Sequence, residues 1–181
     1  MAHHQIALLR GINVGRAKRV AMADLRRLVE DLGYGNVRTL LNSGNIVFTT
    51  PRAAALTAAA RIEKAISREL SVSARVTVIS ATELAAAIAE NPLLDIADDD
   101  SRLLVAVLND PLDRSKLKPL MNEDWAAEVL AIGTRVAYLW CAEGILASRL
   151  LKTIGRILGD AVTTRNWSTL KKLYALTEVR N

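Results

Sequence analysis

Three short stretches of this chain combine cations, amides and glycines at a spacing that could hold an anion. The first is Arg10-Gly11-Ile12-Asn13-Val14-Gly15-Arg16-Ala17-Lys18-Arg19. Arg10 offers a planar guanidinium fork, Asn13 an amide, Gly15 a sterically open backbone N–H and Lys18 an ammonium, with a helix predicted just beyond. A phosphate or a carboxylate suits that set. The same glycines could instead serve as turn residues at positive φ, with Asn13 bonding its own loop. The second stretch, Asn42-Ser43-Gly44-Asn45, places neutral polar groups at a predicted hairpin. In the third, Thr164-Arg165-Asn166-Trp167, a strand turns into a helix, so Arg165 could reach an anion while Thr164 or Asn166 caps the helix. The candidate anion-binding residues are therefore Arg10, Asn13, Gly15, Lys18, Asn42, Ser43, Asn45, Arg165 and Asn166.

Other chemistries find little support. Neither the Gly-x-x-x-x-Gly-Lys-Ser/Thr spacing of a phosphate loop nor a Gly-x-Gly-x-x-Gly dinucleotide fingerprint is present. The two histidines, His3 and His4, fall in an N-terminus expected to fray, which places no general base. Ser43 has no visible activating partner, and Cys141 lies in an apolar strand as an inert thiol. Asp24 and Glu30 do not share a helix face. Asp98-Asp99-Asp100 reads as a solvated linker, because three consecutive side chains do not converge easily on one ion. No catalytic residue, metal site or cofactor is predicted. Base stacking on a recognition sheet is disfavoured too, since strand one lacks aromatics and the only phenylalanine is Phe48.

The elements that must position these residues follow from periodicity. Gln5–Val14 reads as a strand; Met22, Leu25, Leu28, Val29 and Leu32 mark one face of a helix stopping at Gly33. Strands Asn36–Leu41 and Asn45–Thr50 flank the hairpin, and Pro51 opens an alanine-rich helix to about Leu70, with Leu56 among its inward residues. A strand, Ala74–Ile79, and a helix capped by Ser80-Ala81-Thr82-Glu83 complete the half. The order repeats: strand Leu103–Leu108, a helix over about Asp113–Met121, strands Ala127–Ile132 and Arg135–Cys141, a helix with Leu146, Leu150, Ile154 and Leu158 inward, strand Ala161–Thr164 and a last helix. Twice βαββαβ plus a helix predicts an α+β protein of two duplicated ferredoxin-like units in two layers. The first unit is expected over 1–92 and the second over 101–181, with a linker at about 93–100. In that topology strands one and two run the same way. The Arg10–Lys18 loop and the Asn42–Asn45 hairpin are therefore expected at one sheet edge.

Composition sets the outer bounds. The chain has 181 residues, 51% hydrophobic, with a net charge of +5. Charge is uneven: residues 1–50 hold seven Lys/Arg against three Asp/Glu, 51–148 hold ten against fourteen, and 149–181 hold seven against two. Basic ends suit a phosphate-bearing ligand or a nucleic-acid backbone if they meet, and solvated helix faces if they do not. No apolar run is long enough to span a membrane. The short N-terminal apolar stretch lacks a signal-peptide pattern, and the sole cysteine fits a reducing compartment, so a cytoplasmic protein is expected. The oligomeric state is not indicated.

Five blocks give the chain a resemblance to a known family: Arg10-Gly11-Ile12-Asn13-Val14-Gly15, Met22-Ala23-Asp24-Leu25-Arg26, Ser43-Gly44-Asn45-Ile46-Val47-Phe48, Asn91-Pro92 and Thr164-Arg165-Asn166-Trp167. Spread over nearly the whole chain, they are similar to the uncharacterised bacterial family known as domain of unknown function 1697. The resemblance implies a duplicated ferredoxin-like fold and no established activity. Two positions depart from the family pattern: Arg16 stands where a second glycine is usual, and Asn42 where glutamine is usual. Binding of an anionic ligand at the basic loop edge is the leading expectation. An enzyme acting on a phosphorylated or carboxylated substrate and a protein-interaction module are the alternatives.

Overall fold

The structure, a computed structural model, describes residues 2–14 and 19–178. Among them the chain forms a mixed α+β protein with two four-stranded antiparallel sheets and seven α-helices. It divides into two compact units, Met1–Thr82 with Ala175–Asn181, and Glu83–Tyr174. No helix among the described residues is long and apolar enough to cross a membrane.

The first unit contains β1 (Ala2–Arg10), α1 (Met22–Asp31), β2 (Gly35–Leu40), β3 (Asn45–Pro51), α2 (Arg52–Ala55), α3 (Ala58–Leu70) and β4 (Arg75–Ser80), with sheet order β2-β3-β1-β4. β1 is paired on both sides, and its run Ile6–Leu9 is buried on both faces. Ala7 and Leu9 join Ile46, Phe48 and Val76 in one core with Leu25, Leu28 and Val29 of α1 and Ile62, Ala65 and Ile66 of α3. Tyr34 packs on Phe48 with ring centroids 4.8 Å apart. Arg61 lies over the Tyr34 ring and donates from Nη2 to the Leu32 carbonyl at 2.9 Å, holding the end of α1. On the outer strand β2 the register shifts between Gly35 and Arg38.

The second unit contains α4 (Ala81–Ala89, from Glu83 onward), β5 (Leu103–Leu108), α5 (Arg114–Leu117), β6 (Val129–Ile132), β7 (Val136–Trp140), α6 (Arg149–Leu158), β8 (Val162–Asn166) and the larger part of α7 (Trp167–Glu178). Its sheet order, β6-β7-β5-β8, matches the first position by position. Leu104, Ala106 and Leu108 pack with Ala137, Leu139, Leu117, Leu150, Ile154 and Leu158.

Four local expectations are corrected. β1 begins at Ala2 rather than fraying, with His3 opposite Thr50 and His4 opposite Thr49, and it ends at Arg10 because Gly11 turns to φ +84°. The helix after Pro51 breaks at Leu56-Thr57, where the Thr57 hydroxyl bonds the Ala54 carbonyl. The break resets the helical phase, so that Ala58 faces the core and Leu56 stands 89% exposed. The helix expected over 113–121 survives as only four residues, flanked by 3₁₀ turns at Pro111–Asp113 and Lys118–Asn122, since Pro119 lacks the N–H a continuing helix needs. Leu146 is 92% exposed because α6 starts at Arg149, after Ser148 caps it by accepting from the Leu151 N–H at 2.9 Å.

Tyr138 of β7 is buried and donates to the Ala87 carbonyl of α4 at 2.9 Å. Burial, and secondarily the Glu90 carboxylate, push its phenol up to about 12. The folded state thus holds this proton more tightly than the unfolded chain, whose value is 10.0. The contribution is fully present below that unfolded value and is lost as pH rises through the folded one. Urea unfolding across alkaline pH is expected to show this loss in the native chain and not in Tyr138→Phe, which at neutral pH is destabilised by about 1 kcal/mol through the missing hydrogen bond.

Candidate functional site

Strand direction builds the site. β1 and β2 both pair antiparallel to β3, so the end of β1 and the β2–β3 turn lie at one edge of the first sheet. The Leu9 N–H donates to the Gly44 carbonyl at 2.8 Å, joining them directly. Asn13, at φ +53°, extends the junction: its Nδ2 donates to the Asn42 carbonyl at 2.6 Å and to the Val20 carbonyl at 3.0 Å, while its Oδ1 accepts from the Val20 N–H at 2.8 Å. Asn45, fully buried, closes the hairpin by donating to the Leu40 carbonyl at 2.7 Å and to Ser43 Oγ at 2.9 Å.

A primary amide has two hydrogens to give. Both are committed in Asn13 and both in Asn45, so these residues shape the edge and leave no amide hydrogen for a ligand. Asn42 and Ser43 are exposed at the turn, the first accepting through its backbone carbonyl and the second through its hydroxyl oxygen. Gly15 and Lys18, with Arg16, lie outside the described residues.

The cation at the edge has a neighbour that sequence reasoning missed. Arg10, the last residue of β1, is directly opposite Arg75, the first of β4. Opposed residues on antiparallel strands project from the same face, so the two guanidinium-bearing side chains start about 5 Å apart. Glu63 of α3 approaches Arg75 Nη1 at 3.6 Å and accepts from the Val76 N–H at 2.8 Å. A Cβ placed on Gly11 would come within 4.0 Å of the Ser73 carbonyl, so the segment leading into β4 runs beside the same loop. The pairing of a first with a fourth strand, implicit in the βαββαβ order, was the signal that could have brought Arg75 to notice.

Arg165 and Asn166 belong to the second unit. Arg165 is opposite Val105 on β5 and donates from Nη1 to the Thr164 carbonyl at 2.9 Å; burial pushes its guanidinium down to about 10, which leaves it cationic at neutral pH. Asn166 caps α7, its Oδ1 accepting from the Thr169 N–H at 3.0 Å and the Thr169 hydroxyl at 2.7 Å. Another helix start in this unit, that of α6, already holds an anion of its own. The Glu128 carboxylate accepts from the Ser148 hydroxyl and from the Arg149 N–H at 2.9 Å. Cys141 is buried, and burial pushes its thiol up, which suits packing and not nucleophilic attack.

The fold and this edge define a two-sheet α+β protein whose first sheet ends in opposed arginines beside an amide-stapled loop. The chain belongs to the DUF1697 family of proteins of unknown function, whose model matches residues 2–138. The conserved bacterial protein SP0830 from Streptococcus pneumoniae is similar in structure, with a TM-score of 0.79 at 23% identity, covering 98% of this chain and 100% of that one. That likeness establishes the fold alone. A comparison with curated proteins gives no match.

The edge depends on Gly44. Its φ is +81°, and an added Cβ would come to 2.7 Å from Ile12 Cδ1 and 2.8 Å from Leu9 Cβ. Gly44→Ala is expected to destabilise the protein by about 2–4 kcal/mol, combining left-handed strain with overpacking, as measured by denaturant unfolding. Asn13→Ala, which leaves the Val20 N–H without its acceptor, should cost about 1–3 kcal/mol in the same measurement.

Proposed function

We propose that the first unit binds a phosphate-bearing small molecule at the edge formed by Arg10, Arg75 and the Asn42–Ser43 turn. The observation that carries this reading is the β1–β4 register, which sets two arginines opposite each other beside the Asn13–Asn42 hydrogen bond. An anion bridging the two opposed arginines gains a charge-assisted contact from each. Arginine suits the task because its planar fork matches phosphate oxygens in pairs. Lys18 and Gly15 join the proposed set from the sequence, while Asn13 and Asn45 act as positioning residues.

The rim supports a ligand with an apolar body as well as a charge. Val14 is 72% exposed and Leu41 49% exposed, each adjacent in sequence to the bonded pair Asn13 and Asn42. A nucleotide, with its base against the apolar rim and its phosphate on the arginines, uses both features. The matching order of the two sheets supports reading the chain as a duplicated ferredoxin-like unit, with the second copy carrying no equivalent of the Arg10 loop in its sequence. A cytoplasmic setting fits the single buried thiol.

Thermal unfolding with AMP, ATP and inorganic phosphate tests the reading. A nucleotide at ten times its dissociation constant should stabilise the protein by about 1.4 kcal/mol, a few degrees in Tm. Arg10→Ala and Arg75→Ala should each abolish the shift, and inorganic phosphate should give less protection than AMP. Equal protection of the variants would defeat the assignment.

A further inference from the structure

The second unit carries two adjoining cavities unrelated to the loop edge. The smaller, about 100 Å³, lies between α4 and β7 and is walled by Ala86, Ala87, Pro111, Val136 and Tyr138. The larger, about 570 Å³, is an open cleft that takes in Arg114, Lys118, Met121 and the Gly133-Thr134 turn. Glu90 and Thr134 line both, so the apolar slot opens into the charged cleft at those two residues.

The cleft carries charges of both signs. Arg114 and Lys118 are four apart in the α5 stretch, both line the cleft, both are exposed, and neither forms an ion pair among the described residues. The nearby acid Asp113 pairs instead with Lys116, at 2.6 Å. Like charges at this spacing weaken a helical turn, so the pair is a cost to the fold that a bound anion would remove. Glu90, which lines the same cleft, is exposed, and its carboxylate acts on Tyr138 at the slot. The remaining charged groups at the slot, Arg135 and Glu83, face each other at 3.4 Å, with Arg135 Nη1 also donating to the Asn109 carbonyl at 3.1 Å.

We propose that this cleft binds a small zwitterion bearing a branched aliphatic side chain, the simplest case being a free branched-chain α-amino acid. Its carboxylate meets Arg114 and Lys118, its ammonium meets Glu90, and its side chain enters the slot. The size decides the class of side chain. A cavity of about 150 Å³ takes a benzene ring, so a slot of about two-thirds that volume holds a compact branched alkyl group in preference to an aromatic one. The walls offer methyl groups, a proline ring and the face of Tyr138, whose hydroxyl is already engaged with the Ala87 carbonyl. Half-exposed Met121 supplies an adaptable apolar wall on the cleft side.

Calorimetric titration of the full chain with L-leucine, isocaproate, isoamylamine and L-alanine tests the three contacts separately. L-Leucine should bind tightest, and each analogue, lacking the ammonium, the carboxylate or the isobutyl group, should bind about tenfold more weakly, the loss of one charged or apolar contact. The double variant Arg114→Ala/Lys118→Ala should erase the advantage of leucine over isoamylamine. Glu90→Gln should erase its advantage over isocaproate. All three positions are exposed, so these variants are expected to fold, and unchanged unfolding curves would verify it. Arg10→Ala should leave leucine binding unaltered, which separates this cleft from the phosphate site of the first unit. No heat with leucine at millimolar concentration, or leucine binding undiminished in the double variant, overturns the proposal. Isocaproate binding as tightly as leucine overturns the role given to Glu90.

Discussion

A strand hydrogen-bonded on both sides has no free edge, and β1 occupies that position in the first sheet as β5 does in the second. Both strands are also covered on both faces, since Ile6–Leu9 and Leu103–Leu108 are buried without a break, and so they read as continuous apolar runs and not as alternating ones. Its two antiparallel partners also fix what lies at its ends. Where β1 stops, β3 and β4 both start, so three connecting segments distant in sequence arrive at one place. The meeting of these segments is a by-product of that topology and holds for any side chains at those positions.

Side chains then decide what the edge is like. The first unit ties its edge together with neutral amides: Asn13 gives both amide hydrogens to backbone carbonyls, and Asn45 gives one to a carbonyl and one to the Ser43 hydroxyl. The second unit uses a charged group at a comparable task, with Glu128 satisfying the opening of α6. The difference has an electrostatic result. Neutral staples add no charge beside Arg10 and Arg75, whereas an internal carboxylate cancels the helix end it occupies.

Much of this was legible in the residues. The order of strands and helices followed from periodicity, and the meeting of the Arg10 loop with the Asn42 hairpin followed from strand direction. Proline, glycine and capping signals placed most boundaries, yet Pro119 was passed over although its effect on a helix is local and strong. Leu56 and Leu146 were misplaced for a different reason: each sits just outside a helix whose start sets the phase, and a shift of two residues turns an inward position outward. The role of Asn13 was undecidable from sequence because the amide suits a ligand as well as a carbonyl. In the folded chain the Val20 and Asn42 carbonyls take both of its hydrogens. Arg75 escaped notice since a register partner 65 positions away leaves no local trace.

The break in register on β2 bears on how this protein behaves in a crowd of its own kind. An outermost strand with a regular ladder is a template for another chain's backbone, and nothing in the chemistry of amides distinguishes self from stranger. Between Gly35 and Arg38 the spacing of β2 falls out of step with its neighbour, and the residue that resumes it carries a cation. An approaching strand would find few consecutive groups in line and a charge to bury, so sheet-to-sheet growth is discouraged at its first step.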